Sequence, residues 1–283
     1  MDTLQTFASE NTVTDINYVN VGNGVSVRCI NFVPQYPLST TKILFIPGWI
    51  SQLGSWRYFL PKVTEKLNLI YMETREKSSS RINSSTTFSI NDISNDIVNV
   101  INHFDLRENE YVLAGSSLGA TSILEAVPKL SKKPLGLVLI LPNSDFGLPK
   151  YAPMILKLTP VPLLPIVREL IKWAMLKFRV NPDDYEHQQR FMESMDASNI
   201  LKLRDSTLAV YGYKLDFSVL NQIKIPCLVI GATKDGEHNQ EEIRKIANNL
   251  PLSVYLDLIT FTATHSTKAA QALLSYIIEL SSR

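Results

Sequence analysis

Apolar positions along this chain recur in two rhythms, and the alternation between them predicts a fold. Short runs rich in β-branched, aromatic and leucine residues predict strands at 16–21, 25–32, 42–47, 69–72, 111–114, 136–141, 226–231 and 253–260. Gly22-Asn23-Gly24 separates the first two as a hairpin turn signal. Helical spacing predicts helices at 56–67, 89–104, 117–130, 240–249 and 267–280. The clearest is 89–104, where Ile90, Ile93, Ile97, Ile101 and Phe104 step by three and four and so form one core-facing stripe. Strands that alternate with helices predict an α/β class with a mostly parallel central sheet and helices on both faces. One region breaks the alternation. From 146 to 221 no parallel strand is legible, whereas helix patterns and clustered prolines are. Within it, 163–178 is apolar over a wide face and is expected to pack on the main domain and to line part of an apolar pocket.

Composition changes this picture little. The 283 residues are 45% hydrophobic and 19% charged, as in ordinary globular proteins with a sizeable core. A net charge of +1 leaves no electrostatic footprint for nucleic acid or an acidic membrane surface. Cys29 and Cys227 both fall on apolar strand-like segments and read as reduced core residues. Residues 1–10 lack a basic start and an apolar stretch, and no run of 18 apolar residues free of charge occurs. The expectation is therefore a cytoplasmic protein with neither signal peptide nor membrane span. Glycines at Walker or dinucleotide spacing are missing, as are His, Cys and carboxylates at metal-ligand spacing, so no cofactor and no metal are expected.

Candidate chemistry centres on Gly115-Ser116-Ser117-Leu118-Gly119. A G-x-S-x-G run between a buried strand and a helix presents its serine on a sharp turn, and the glycines make room for that backbone. The short motif is weak by itself; its context gives it weight. A nucleophilic serine needs a base, an acid that orients the base, and donors for the oxyanion. Among the four histidines, His103 falls inside a helix, His187 in a polar run that reads as solvated, and His238 only three residues from Asp235. His265, after the last predicted strand, is the expected base. Parallel strands bring their C-terminal ends to one sheet edge, and Asp235 follows the strand 226–231 in Gly-x-x-x-Asp. Asp235 is thus the expected acid, with Asp145 as the alternative. The Leu118 amide at the helix start supplies one oxyanion donor, and a second is expected from the loop Pro47-Gly48-Trp49.

This arrangement resembles the α/β-hydrolase superfamily over nearly the whole chain. Gly48-Trp49 follows the third strand where that superfamily places an oxyanion loop, although Pro47 stands where a histidine is usual. The resemblance implies the Trp49 and Leu118 amides as the oxyanion hole. In 71–79 the Arg75 and the serines match the superfamily's Asp-x-Arg-Gly-x-Gly-x-Ser segment, and the glycines do not. Thr264-His265 stands for its Gly-His. The superfamily's helical cap, inserted between the sixth and seventh strands, matches 146–221, with 1–145 and 222–283 as the core domain. Within the superfamily the chain looks most like small carboxylesterases and carrier-ester esterases with a Gly-Trp oxyanion loop. Epoxide hydrolases and haloalkane dehalogenases of this fold use aspartate where Ser117 stands.

The expected function is hydrolysis of a carboxylic ester or thioester, with a small, partly apolar acyl ester as substrate. Acyl transfer with the same triad is the alternative within enzymes, and ligand binding without catalysis the alternative outside them.

Overall fold

Gly22, Asn23 and Gly24, all at positive φ, turn strand β1 (Thr12–Gly22) back on β2 (Val25–Pro34). This computed structural model describes residues 4–83, 85–147 and 149–282. Beyond the hairpin run β3 (Lys42–Ile46), β4 (Asn68–Met72), β5 (Tyr111–Ser116), β6 (Gly136–Ile140), β7 (Cys227–Gly231) and β8 (Ser253–Asp257). The sheet order is β1-β2-β4-β3-β5-β6-β7-β8. Strand β2 is antiparallel to both β1 and β4, and every later pairing is parallel. In β5, β6 and β7 every residue is buried, as a sheet covered on both faces requires.

The core helices are α1 (Leu60–Thr64), α2 (Ile90–His103), α3 (Leu118–Ala126), α9 (Gln240–Asn249), α10 (Phe261–Thr264) and α11 (Thr267–Ser281). Helix α2 starts where the sequence predicts because Ser89 and Asp92 cap it reciprocally. Its stripe of Ile90, Ile93, Ile97 and Ile101 is buried, and His103 is exposed on its surface. Two predicted helices are shorter than their apolar pattern suggests. The span 56–67 breaks into a 3-10 turn at Leu53–Trp56 and α1, which begins at Leu60 with Pro61 in its first turn. Helix α3 gives way to a 3-10 turn at Val127–Lys129, which holds Pro128. Cys29 and Cys227 are buried and unpaired, and burial pushes each thiol up to about 12.

Between β6 and β7 the chain is helical: α4 (Ala152–Leu158), α5 (Leu164–Phe178), α6 (Tyr185–Ala197), α7 (Ile200–Val210) and α8 (Phe217–Leu220). This segment lies over the C-terminal edge of the sheet. Trp49 Nε1 donates to Ser206 Oγ of α7 at 2.8 Å, and Lys202 Nζ donates to the carbonyls of Lys77 and Ser80, each at 2.7 Å. Helix α5 departs from expectation. Met175 reaches the site, but Ile166, Leu170, Trp173 and Phe178 stay more than half exposed. Among the described residues, no helix is long and apolar enough to cross a membrane.

Candidate active site

Ser117 sits at φ 50°, ψ −117°, a strained setting for a residue with a Cβ, between β5 and α3. The turn is sharp because two glycines let other backbone close in. A Cβ on Gly119 would lie 2.2 Å from the Ile46 carbonyl oxygen, and one on Gly115 would lie 2.9 Å from the same atom. The Ser117 amide donates to Ile140 O at 2.8 Å, which ties the turn to the neighbouring strand. A side chain held this way stands clear of the sheet edge.

The structure brings Asp235 and His238, rather than His265, to this serine. Asp235 leaves β7 in a tight turn: its Oδ1 accepts the Glu237 amide at 2.8 Å, and its Oδ2 accepts His238 Nδ1 at 2.6 Å. A carboxylate can only accept, so Nδ1 carries the hydrogen and Nε2 is left as a lone pair. That lone pair lies 3.1 Å from Ser117 Oγ. The sequence reading that set His238 aside for lying so near Asp235 is corrected here. Three residues are enough, because the turn between them curls back on itself. Arg179, just past α5, clamps the same loop by donating to the carbonyls of Gly236 (3.1 Å) and Glu237 (2.9 Å).

His265 occupies another role. Strand β8 ends at Asp257, and α10 intervenes, so this histidine does not follow a strand end. Its ring stacks on Trp56 at 4.2 Å and on Phe261 at 4.4 Å. Its Nδ1 lies 2.9 Å from Thr264 Oγ1 and 3.3 Å from the Phe261 carbonyl. Among the described residues it makes no hydrogen bond to Ser117 or Asp235. Burial first, and the Arg190 charge next, push its pKa well below 6.5, so the ring is neutral. His187 is likewise buried rather than solvated, stacked on Phe261 at 3.6 Å. Asp145 is exposed, its backbone in an isolated antiparallel β-bridge with Lys214, and among the described residues no hydrogen bond joins it to a histidine.

Electrostatics suit His238 to accepting a proton. Burial disfavours its imidazolium, but the Asp235 carboxylate outweighs burial and the pKa rises from 6.5. Burial likewise works against the Asp235 carboxylate, yet His238 brings its pKa below 3.8. Each group therefore stabilises the charged form of the other.

Trp49 and Leu118 line the same cavity as Ser117. Among the described residues neither backbone N–H donates to a protein group. Leu118 is the first residue of α3, where no intrahelical acceptor exists. The loop that carries Trp49 is held by Lys77, which the sequence does not single out. The buried Lys77 Nζ donates to Gly48 O at 2.6 Å, to Trp49 O, and to Glu76 Oε1 at 2.9 Å, so its three hydrogens are all engaged. The Gly48–Trp49 peptide is trans, so drawing its carbonyl toward Lys77 turns its N–H the opposite way.

Asn143, after β6, was also not foreseen. Its amide nitrogen donates to Ser117 Oγ at 3.0 Å, while Thr121 Oγ1 fixes its backbone through both N–H (3.0 Å) and C=O (2.9 Å). With that lone pair of Oγ occupied, the serine's own hydrogen is left to His238. Two cavities meet at Ser117 and His238. One of about 370 Å³ runs past Asn143, Phe146 and Val210, and one of about 140 Å³ runs past Ile50, Phe191 and Arg190. Among the described residues, no three His, Cys, Asp or Glu side chains come together in a way that could hold a metal ion.

This strand order, with a strained serine between β5 and α3 and a helical excursion after β6, defines the α/β-hydrolase fold. No protein-family model matches the chain, and no curated protein matches it in sequence. Solved structures do match in shape. An esterase from Thermogutta terrifontis, with malate bound, superposes with a TM-score of 0.73 at 14% identity, over 95% of this chain and 99% of that one. A hydrolase from Pseudomonas aeruginosa gives 0.75 at 16%, over 95% and 99%. An enol-lactonase from Burkholderia xenovorans gives 0.74 at 12%, over 95% and 100%. The chain therefore has the α/β-hydrolase fold along nearly its whole length.

Proposed function

We propose that this protein is a serine hydrolase of carboxylic esters or thioesters that works through an acyl-Ser117 intermediate. The observation that carries the reading is the continuous line from Asp235 Oδ2 through His238 to Ser117 Oγ, with steps of 2.6 and 3.1 Å. Its likeness in fold to proteins described as esterases and hydrolases supports it. Residues 146–221 serve as the cap, and 1–145 with 222–283 as the core domain. Two reduced cysteines accord with a cytoplasmic setting.

In this mechanism His238 Nε2 takes the Ser117 proton as Oγ attacks the carbonyl carbon. The carbonyl oxygen becomes an oxyanion and receives the Trp49 and Leu118 N–H groups. These donors cost little reorganisation, and one such donor is worth about 10²–10³ in turnover. Collapse of the intermediate expels the alcohol or thiol, which takes its proton from His238. Water then repeats the sequence: His238 removes its proton, the hydroxide adds to the acyl carbon, and the acid leaves as Ser117 regains its hydrogen. Asp235 holds the imidazole tautomer throughout.

The test is covalent labelling. A fluorophosphonate probe should add to Ser117, located by peptide mass spectrometry, and 4-nitrophenyl acetate should be turned over. S117A should do neither. Wild-type protein that is folded yet neither labels nor turns over short aryl esters would overturn the reading.

A further inference from the structure

The smaller cavity holds a cation with unspent hydrogen-bonding capacity. Arg190, on α6, is 3% exposed and lines this cavity together with Ser117, His238 and Phe191. Its Nη2 pairs with Glu186, one turn back on the same helix and 41% exposed. Its Cζ lies 6.0 Å from the centre of the Tyr58 ring. Its Nε and Nη1 are buried and have no hydrogen-bond partner among the described residues. A guanidinium carries five N–H groups, so those two nitrogens leave three of them unused. Buried cations normally have their donors satisfied, because each unmet one forfeits hydration. His187, buried in the same wall, also has neither ring nitrogen hydrogen-bonded. Glu237 is the carboxylate in the lining; its Oε1, also buried without a hydrogen-bond partner, lies 3.4 Å from His187 Nε2, the ring it would neutralise, and the residue borders the larger cavity as well.

We infer that Arg190 is a carboxylate-binding residue, and that the substrate is a small ester whose shorter arm ends in a carboxylate. This rests on the ester-hydrolase reading and narrows it. A volume near 140 Å³ suits a short arm, and the larger cavity takes the remainder of the molecule. A carboxylate can belong to either the acyl or the alcohol side, and the chemistry that recognises it is the same.

Binding is measured first, on S117A, which cannot turn substrate over. Calorimetric titration with monoethyl succinate, which carries its charge on the acyl side, is compared with neutral diethyl succinate. Acetoxyacetate, charged on the alcohol side, is compared with its ethyl ester. One acid is expected to bind about ten- to a hundredfold more tightly than its neutral counterpart, the worth of a charge-assisted hydrogen bond, and the pair that shows the preference assigns the arm. R190M in the same background should erase that preference, and R190K should keep part of it. Equal binding of acid and neutral ester in both pairs, or a preference for a cationic ester such as acetylcholine, overturns the inference without need of any Arg190 variant. In wild-type protein the same preference should appear in kcat/KM. Ser117-dependent turnover of neutral aryl esters with no preference for either acid would leave the hydrolase reading standing and this inference refuted. Tight binding of an acid by a protein that never labels at Ser117 would do the reverse.

Discussion

His238 Nε2 meets Ser117 Oγ at 3.1 Å across 121 positions of sequence, whereas His265, which follows α10, lies stacked on Trp56. The two histidines therefore respond differently to replacement. H238A should lower kcat about 10⁴-fold or more, the cost of losing a triad member. H265F, which keeps a flat ring between Trp56 and Phe261, should retain kcat within about tenfold. Its cost should appear as a lower melting temperature, since the ring's Nδ1 contacts with Thr264 Oγ1 and the Phe261 carbonyl are lost. Steady-state kinetics on aryl esters decide; the opposite ranking would reinstate His265 as base.

Acidity should switch the site off. His238 must be neutral to accept the serine proton, and its pKa lies above 6.5, so kcat/KM should fall as pH drops through that raised value. D235N removes the charge that raises it. The acid limb should then move to lower pH, with kcat down by about 10⁴.

The same pair gives a pH-dependent stability. His238 is raised on folding, so its contribution is complete below 6.5 and fades as pH climbs through the folded value. Asp235 is lowered, so its contribution is complete above 3.8 and fades as pH falls through the folded value. The melting-temperature gap between wild type and D235N should be widest between 3.8 and 6.5 and should narrow on either side. Stability from the pair thus peaks on the acid side of the range in which the site turns over.

On the proposed mechanism, Lys77 positions the loop that carries the Trp49 N–H. K77M removes the donors that hold the Gly48 and Trp49 carbonyls. With the Trp49 N–H no longer aimed, kcat should fall about 10²-fold, near the value of one oxyanion donor, while KM changes little. A merely structural lysine would lower the melting temperature without that split.

Gly119 tests the elbow. A methyl there would lie 2.2 Å from Ile46 O and 2.7 Å from Pro47 O, both backbone atoms. G119A should cost about 1–3 kcal/mol or more in denaturant unfolding and should disturb the strand that leads into the oxyanion loop.

Much of this was legible in the chain. Strand runs and the spacing of Ile90, Ile93, Ile97 and Ile101 carry the fold, because buried strands and one-sided helices have different apolar periods. Ser117, Leu118 and Asp235 follow from a strand–turn–helix context and a strand end. His238 was hidden by its own proximity to Asp235: sequence distance says nothing about a turn that folds a side chain back by three residues. His265 misled because α10 separates it from β8. His187 was misread for the opposite reason, since a polar neighbourhood in sequence became a buried face of α6 once that helix packed over Phe261. Lys77 and Asn143 carry no local signal of a site role, because apart from Glu76 beside Lys77 their partners are backbone atoms and hydroxyls brought together only by the finished sheet.

The turn from Asp235 to His238 also bears on how such a site comes into being. Acid and base belong to one short loop, so their pairing needs no distant chain closure and can form as soon as β7 is laid down. Only the meeting with Ser117 waits for long-range assembly. Serine, base and acid of the proposed triad then come from two chain segments rather than three, and a graft of residues 232–239 would carry the acid–base pair with it.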